Sequence, residues 1–398
     1  MQSEITGSGS GETQAVEEAR RVMNICNACR YCEGRCATFQ AMTQRRAFSE
    51  NDLDYLANLC HNCTACFHSC QYAPPHTFDL NVPRALTALR VETYEKYAWP
   101  ASMAGLFRRN GLIMSLTVAF SLAFVITLVL VLQQRTVLFA EHKGPGSFYA
   151  VIGHGVMVVV AGVTFGYSVL ALVIGFVRFL RTGGRSAASI GRTSGLLSAF
   201  RDVATLKYLD GGHGEGCNTR DEGYSNQRRY FHQFTMWGFL LCFASTSVAA
   251  IFDYGFGLAA PYPFFSLPVL LGTFGGVGLL IGPVGLVWVK IQSDSRPMLV
   301  RHFGMDYAFL ALLFVISLTG MLLLLLRETS AMGVTLAIHL GFVLALFVTL
   351  PYSKFVHSVY RFAALLRFAN ERQKQNSSRR VATEKTFGNG RHTRAPGI

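Results

Sequence analysis

Residues 26–36, CNACRYCEGRC, and residues 60–70, CHNCTACFHSC, share one cysteine spacing, C-x2-C-x2-C-x3-C. Cys60, Cys63, Cys66 and Cys70 each lie 34 residues after their counterparts Cys26, Cys29, Cys32 and Cys36, so the ligand pattern is duplicated. Three thiolates at two-residue gaps grip three corners of one 4Fe-4S cube, and the fourth cysteine of such a run usually crosses to the other cluster. The spacing therefore predicts two 4Fe-4S clusters, one on Cys26, Cys29, Cys32 and Cys70, the other on Cys60, Cys63, Cys66 and Cys36. Zinc is the main alternative, but a zinc site normally takes its ligands as separated pairs rather than four in one run. Disulfides fit less well, because no secretory signal precedes these cysteines. The other two of the 10 cysteines, Cys217 and Cys242, read as isolated.

Charged residues make up 15% of the 398-residue chain and hydrophobic ones 51%, a balance that suits a membrane protein. The net charge of +13 raises the question of nucleic acid. Its placement beside apolar spans reads instead as a topology signal, and no nucleic-acid partner is expected.

The chain divides into a Gly/Ser-rich disordered tail (1–13), a helical two-cluster domain (14–100), a six-span membrane domain (101–361) and a basic cytoplasmic tail (362–398). Helix-forming composition at 14–23 delivers the chain to Cys26. Residues 48–59 open on Ser49, a helix entry, and place Leu53, Leu56 and Leu59 on one apolar face. A third helix over 82–94 tolerates Pro83 in its first turn. No alternating strand pattern occurs here, so the fold class is all-α: a helical ferredoxin-like module followed by a six-helix transmembrane bundle.

The spans read as 112–132, 148–177, 231–252, 264–289, 307–326 and 332–360, each long enough for one bilayer crossing at ~1.5 Å per residue. With the N-terminus inside, the segments 178–230 and 290–306 are cytoplasmic and hold most of the loop arginines and lysines. The opposite loops hold little beyond Arg135, Lys143 and Arg327. This asymmetry predicts a bacterial-type inner membrane protein with both termini in the cytoplasm.

Ionisable residues inside spans mark function by default. His154 and His339 fall near the outer side, and His232 and His357 near the cytoplasmic side. His339 and His357 are 18 residues apart, five turns of one continuous helix, so both would face the same way across ~27 Å. One helix would then offer an axial ligand to each of two haems, unless Pro351 bends it. The cytoplasmic pair, His232 and His357, is the first choice for haem b, and hydrogen bonding across the bundle is the alternative for all four. His302 reads as a headgroup contact or a substitute for His232.

The run HLGFVLALFVTLPYSKFVH, residues 339–357, resembles the final helix of the gamma subunit of respiratory nitrate reductase. That resemblance implies two b haems held by histidines at this separation, and a ligand at the position of His232. Where that family has a further histidine ten residues on, this chain has Cys242, so His154 is the substitute by depth. The cysteine runs, the segment YLDGGHGEGCN (208–218) and the stretch RRYFHQFTMWGFLLCFAST (228–246) are similar to the tricarballylate/citrate utilisation protein B family. The resemblance implies two clusters and haem, passing electrons from a flavoprotein, tricarballylate dehydrogenase, to the membrane. A related arrangement is half of a flavin-containing cobalamin-biosynthesis protein.

The loop GGHGEG, 211–216, lacks the strand and the terminal Lys-Ser/Thr of a P-loop and reads as a flexible loop. No Rossmann G-x-G-x-x-G follows a strand, so flavin and nicotinamide belong to another chain. The expected function is a membrane electron-transfer subunit, not the substrate-oxidising chain, running from a flavoprotein dehydrogenase through two clusters and haem b to membrane quinone. The alternatives are the reverse direction, from quinol to a soluble acceptor, and an iron-sulfur sensor or assembly factor without quinone chemistry.

Overall fold

The computed structural model describes residues 12–183, 193–211, 214–299 and 303–388, and those residues contain no named strand. Helix α1 (Gln14–Cys29) starts where the Thr13 hydroxyl accepts from the Val16 N–H, and stops where Arg30 turns left-handed at φ 57°. It runs past residue 23, so Cys26 and Cys29 are helical rather than in a loop. Helix α2 (Ala37–Met42) follows the first cysteine run. Helix α3 (Glu50–Leu59) is capped by Ser49, whose hydroxyl accepts from the Asp52 N–H, and its Leu53, Leu56 and Leu59 are fully buried. The short α4 (Ala65–His68) and α5 (Val82–Tyr97), with Pro83 in its first turn, close the module.

The bundle begins with α6 (Asn110–Leu132). A short α7 (Ser147–Val151) precedes α8 (His154–Arg181), and Gly153 separates them. The second span therefore starts at His154 and not at 148. Helix α9 (Thr193–Ala204) leads to α10 (Gln227–Phe256), α11 (Leu267–Ile291), α12 (Phe303–Leu326) and α13 (Met332–Thr349). Among the described residues six helices are long and apolar enough to cross a membrane, so the chain is a multi-pass membrane protein. Small residues let α10 and α11 approach closely: a Cβ at Gly285 would meet the Phe231 ring, and one at Gly238 would lie 2.9 Å from the Gly275 carbonyl oxygen.

Two expectations are corrected. The sixth span is not one helix to residue 360: α13 ends at Thr349, a 3-10 turn spans Leu350–Tyr352, and Ser353 is extended before α14 (Val356–Gly388) begins. Pro351 lacks an N–H and its ring excludes the preceding turn, so the helix breaks rather than bends. His339 and His357 thus belong to different helices, and the five-turn argument for their facing does not hold. Residues 362–371, the start of the expected basic tail, are instead packed into the fold. Ala363, Ala364, Leu365, Leu366, Phe368 and Ala369 are buried, most of them in one core with Leu56, Leu59 and Leu86 of the cysteine module. Arg367 and Glu371, one turn apart on α14, close that contact through Asp52 and Arg45 at 2.9 Å and 2.7 Å.

Candidate redox centre

The eight module cysteines line two recesses. Cys36, Cys60, Cys63 and Cys66 line one, with Arg35, His61, Asn62 and Thr64 beside them, and it encloses about 470 Å³ including its open mouth. Cys26, Cys29, Cys32 and Cys70 line the other, among Tyr31, Phe39, Tyr72 and Leu80, with Cys66 at the shared wall. Cys36 of the first run thus lines the second run's recess, and Cys70 of the second run lines the first run's. Among the described residues no three His, Cys, Asp or Glu side chains converge tightly enough for a single ion. A multi-iron cube, held by thiols spread around a recess, fits this donor set. Burial pushes the Cys26 thiol up to about 12, and neighbouring Cys70, Cys32 and Cys29 add to the shift. Burial does the same to Cys36, followed by the effect of Cys63. Such thiols resist ionising until a cation compensates them, and iron held in the recess would supply that charge.

Local backbone explains how the second run wraps its recess. Asn62 at φ 53° and Thr64 at φ 62° stand left-handed on either side of Cys63. Left-handed backbone at a β-branched residue costs on the order of 1–3 kcal/mol, so the surroundings must hold it. The Thr64 hydroxyl donates to the Asn218 carbonyl, and the Asn218 N–H donates to the Cys63 carbonyl at 3.2 Å. Segment 214–226 is therefore a strap over the second run, and the flexible reading fails for its described part. Gly212 and His213 lie outside the described residues. Cys217 is likewise not isolated: it is fully buried, packs on Cys63 with Leu206 and Leu209, and donates its thiol to the Leu209 carbonyl at 3.5 Å. No spacing rule links residues 63 and 217. The sequence signal available was its flank, where Gly216 at φ 113° sits with its Cα against the Ser225 backbone.

The second run is tied to two bundle histidines. His232 near the start of α10 and His357 near the start of α14 come together, with ring centroids 6.1 Å apart and planes at 79°. Two metal–nitrogen bonds of about 2 Å plus the ring radii come to about 6 Å, so the spacing fits an iron between the rings. His357 Nδ1 lies against the Lys354 carbonyl, which leaves Nε2 as the free donor nitrogen. His232 Nδ1 is buried with no hydrogen-bond partner. One turn before His232, Arg228 donates to the carbonyls of Asn62 and His61. One turn after His357, Arg361 donates to the carbonyls of Cys60 at 2.9 Å and Asn58 at 3.5 Å. From α5, Arg90 donates to the Ala57 carbonyl at 2.7 Å. Arg90 and Arg361 thus meet the carbonyls at the C-terminal end of α3, the charge that end of a helix favours, and Arg228 meets the carbonyls of two residues just beyond it. Sequence reading treated Arg228 as a topology charge and gave Arg361 no role. Their i−4 and i+4 spacing from the histidines was the signal for more.

The other two histidines are engaged at the opposite end. His154 Nε2 pairs with Asp253 at 2.8 Å, Tyr149 donates to the same carboxylate at 3.2 Å, and the Tyr254 ring flanks the imidazole. His339 Nδ1 meets the Thr319 hydroxyl at 3.0 Å and packs against Gly320 of α12. Cys242 packs on Gly275 in the α10–α11 contact. His302 and Arg301 lie outside the described residues.

A crossed pair of cysteine quartets, seated on one end of a multi-pass helical bundle, defines the class: a membrane protein with a ferredoxin-like iron-sulfur domain. Residues 19–96 match the family described as Citrate utilization protein B Fer4-like domain, and residues 105–378 match Citrate utilization protein B. The chain belongs to the Citrate utilization protein B family. It is 47% identical to Citrate utilization protein B of Escherichia coli over 363 residues, 91% of this chain and 94% of that protein. No solved structure matches it.

Proposed function

We propose that this chain is an electron-transfer subunit that takes electrons from a partner FAD-dependent dehydrogenase of the tricarballylate dehydrogenase type and delivers them to membrane quinone. The quartet Cys26, Cys29, Cys32 and Cys70 holds one 4Fe-4S cluster, and the quartet Cys60, Cys63, Cys66 and Cys36 the other. His232 and His357 hold haem b at the same end of the bundle. When bound, these groups supply one-electron chemistry, which divides a flavin's two electrons into single steps. The chain's own residues support this order: Arg228 and Arg361 each join the second cysteine run to a helix that carries one of the two histidines.

That pair of bridges is the observation that supports the reading most directly. The module sits at the end of the bundle with His232 and His357, and the arginine-rich loops share that end, which favours the cytoplasmic side of a bacterial-type inner membrane for both termini. His154 and His339 serve an outer haem less readily, since His154 Nε2 already meets Asp253. The purified full-length protein is assayed for iron, acid-labile sulfide and haem, then mixed with reduced flavoprotein and a quinone. The expected result is full iron and sulfide, a reduced b-type absorption band, and haem reduction that precedes quinone reduction. Fully loaded material without a b-type band would refute the route.

A further inference from the structure

The two recesses differ in charge. Around the second run, Arg90, Arg228 and Arg361 all reach the backbone between Ala57 and Asn62, whereas Arg35 lines this recess and also lies over Tyr31 of the other, so it serves both. The three guanidinium groups take carbonyl partners, and none of the ion pairs among the described residues involves them. Arg90 is only 6% exposed and its Nη2 has no hydrogen-bond partner. Cys217 packs against Cys63 and donates its thiol to the Leu209 carbonyl at 3.5 Å. The lining of the first recess holds no charged side chain; Tyr31, Phe39, Gln71, Tyr72, Leu80 and Val82 surround its cysteines.

We infer that the collar of Arg90, Arg228 and Arg361 raises the reduction potential of the centre held by Cys60, Cys63, Cys66 and Cys36 above that of its neighbour, and so sets the direction of flow toward His232 and His357. A 4Fe-4S cube on four thiolates is anionic, and one more electron adds one more negative charge. Buried cations nearby favour that added charge, since screening by water is weak there. Cluster potentials respond to the charge around them. One electron leaves the centre at Cys26, Cys29, Cys32 and Cys70, which is oxidised, and joins the centre at the second run, which is reduced. No bond breaks and no proton moves. The collar acts through charge, so its arginines are positioning and tuning residues. The assignment rests on the two-cluster reading above.

The test is a redox titration of the full-length protein followed by electron paramagnetic resonance, with Arg361→Gln, Arg361→Lys and Arg228→Gln beside the unaltered chain. Two midpoint potentials are expected in the unaltered protein. In Arg361→Gln the higher one falls, changing that centre's oxidised-to-reduced ratio about tenfold at fixed potential, equivalent to about 59 mV for a one-electron couple. The lower one stays in place, Arg228→Gln moves the same centre the same way, and Arg361→Lys keeps most of the original value because it keeps the charge. Movement of the lower midpoint, no movement of either, or an equal fall in Arg361→Lys overturns the collar while the clusters stand. Unaltered protein short of two cubanes' iron and sulfide overturns the two-cluster reading itself, and the collar with it.

Discussion

Removing residues 362–398 should cost this protein its iron-sulfur clusters, although every proposed ligand lies elsewhere in the chain. Leu365, Leu366 and Phe368 are each 2% exposed or less, in the core that also holds Tyr55, Leu56 and Leu89. Losing a buried Leu or Phe side chain costs about 2–5 kcal/mol each, so the three together cost on the order of 6–15 kcal/mol before any discount for their adjacency. A domain of this size is stable by only about 5–15 kcal/mol. The truncation also strips Arg45 of Glu371 and Asp52 of Arg367. The cluster absorbance of Δ362–398 should therefore disappear, and limited proteolysis should cut within residues 14–100. A shorter truncation, Δ379–398, keeps the buried face and should retain both absorbance and protease resistance. Full cluster absorbance in Δ362–398 would refute the claim that α14 completes the module.

The quartets can be separated one at a time: Cys36→Ser should remove the cluster of Cys60, Cys63 and Cys66, and Cys70→Ser the cluster of Cys26, Cys29 and Cys32, as resolved by electron paramagnetic resonance. If Cys36→Ser instead removed the signal that Cys29→Ser removes, the crossing would be wrong. His232→Ala and His357→Ala should each abolish the reduced b-type band, whereas His154→Ala, whose imidazole already pairs with Asp253, should leave it. Burial alone would raise the Asp52 carboxyl, but hydrogen bonds from Ser49 and Arg45 and the charges of Arg45 and Arg367 outweigh it and hold the group below its ordinary value. A depressed carboxylate contributes stability that is present above its unfolded value of about 3.9 and is lost as pH falls through the lower folded value. Acid-induced opening of the α14 contact, followed by trypsin accessibility, should therefore steepen below that pH in the unaltered protein, and Asp52→Asn should remove that acid-sensitive contribution.

What the sequence made legible was whatever local rules govern. Ser49 and Pro83 announce helix starts by their chemistry, apolar runs announce membrane helices by length, and a repeated cysteine spacing announces its ligands. Contacts between distant segments carried no such mark. Cys217 reaches Cys63 only because the strap closes through Thr64 and Asn218. The apolar face of Phe362, Leu365, Leu366 and Ala369 has helical spacing, yet the basic stretch after it lowered the apparent burial of the whole tail. Arg228 reads in sequence as a topology charge, and its grip on the Asn62 and His61 carbonyls becomes visible only in the folded chain.

The break at Pro351 gives the histidine pair a different meaning from the one a continuous helix would give. A straight helix from Met332 through Arg361 would follow one axis out of the membrane, and its direction would be set by packing in the bundle. Because the chain leaves helical geometry at Ser353 and restarts at Val356, α14 takes its direction from the module core instead. His357 and Arg361 then share one rigid element, four residues or ~6 Å of axial rise apart. Arg228 and His232 repeat the same interval on α10 with the order reversed. Each histidine is thus one helical turn from an arginine that grips the backbone of the second cysteine run. Two short, stiff links from different helices fix a relative position far better than one long one, because each constrains a direction the other leaves free. The separation between the second quartet and the His232–His357 pair is consequently a property of the folded chain, and helix packing on either side has to move before it can change.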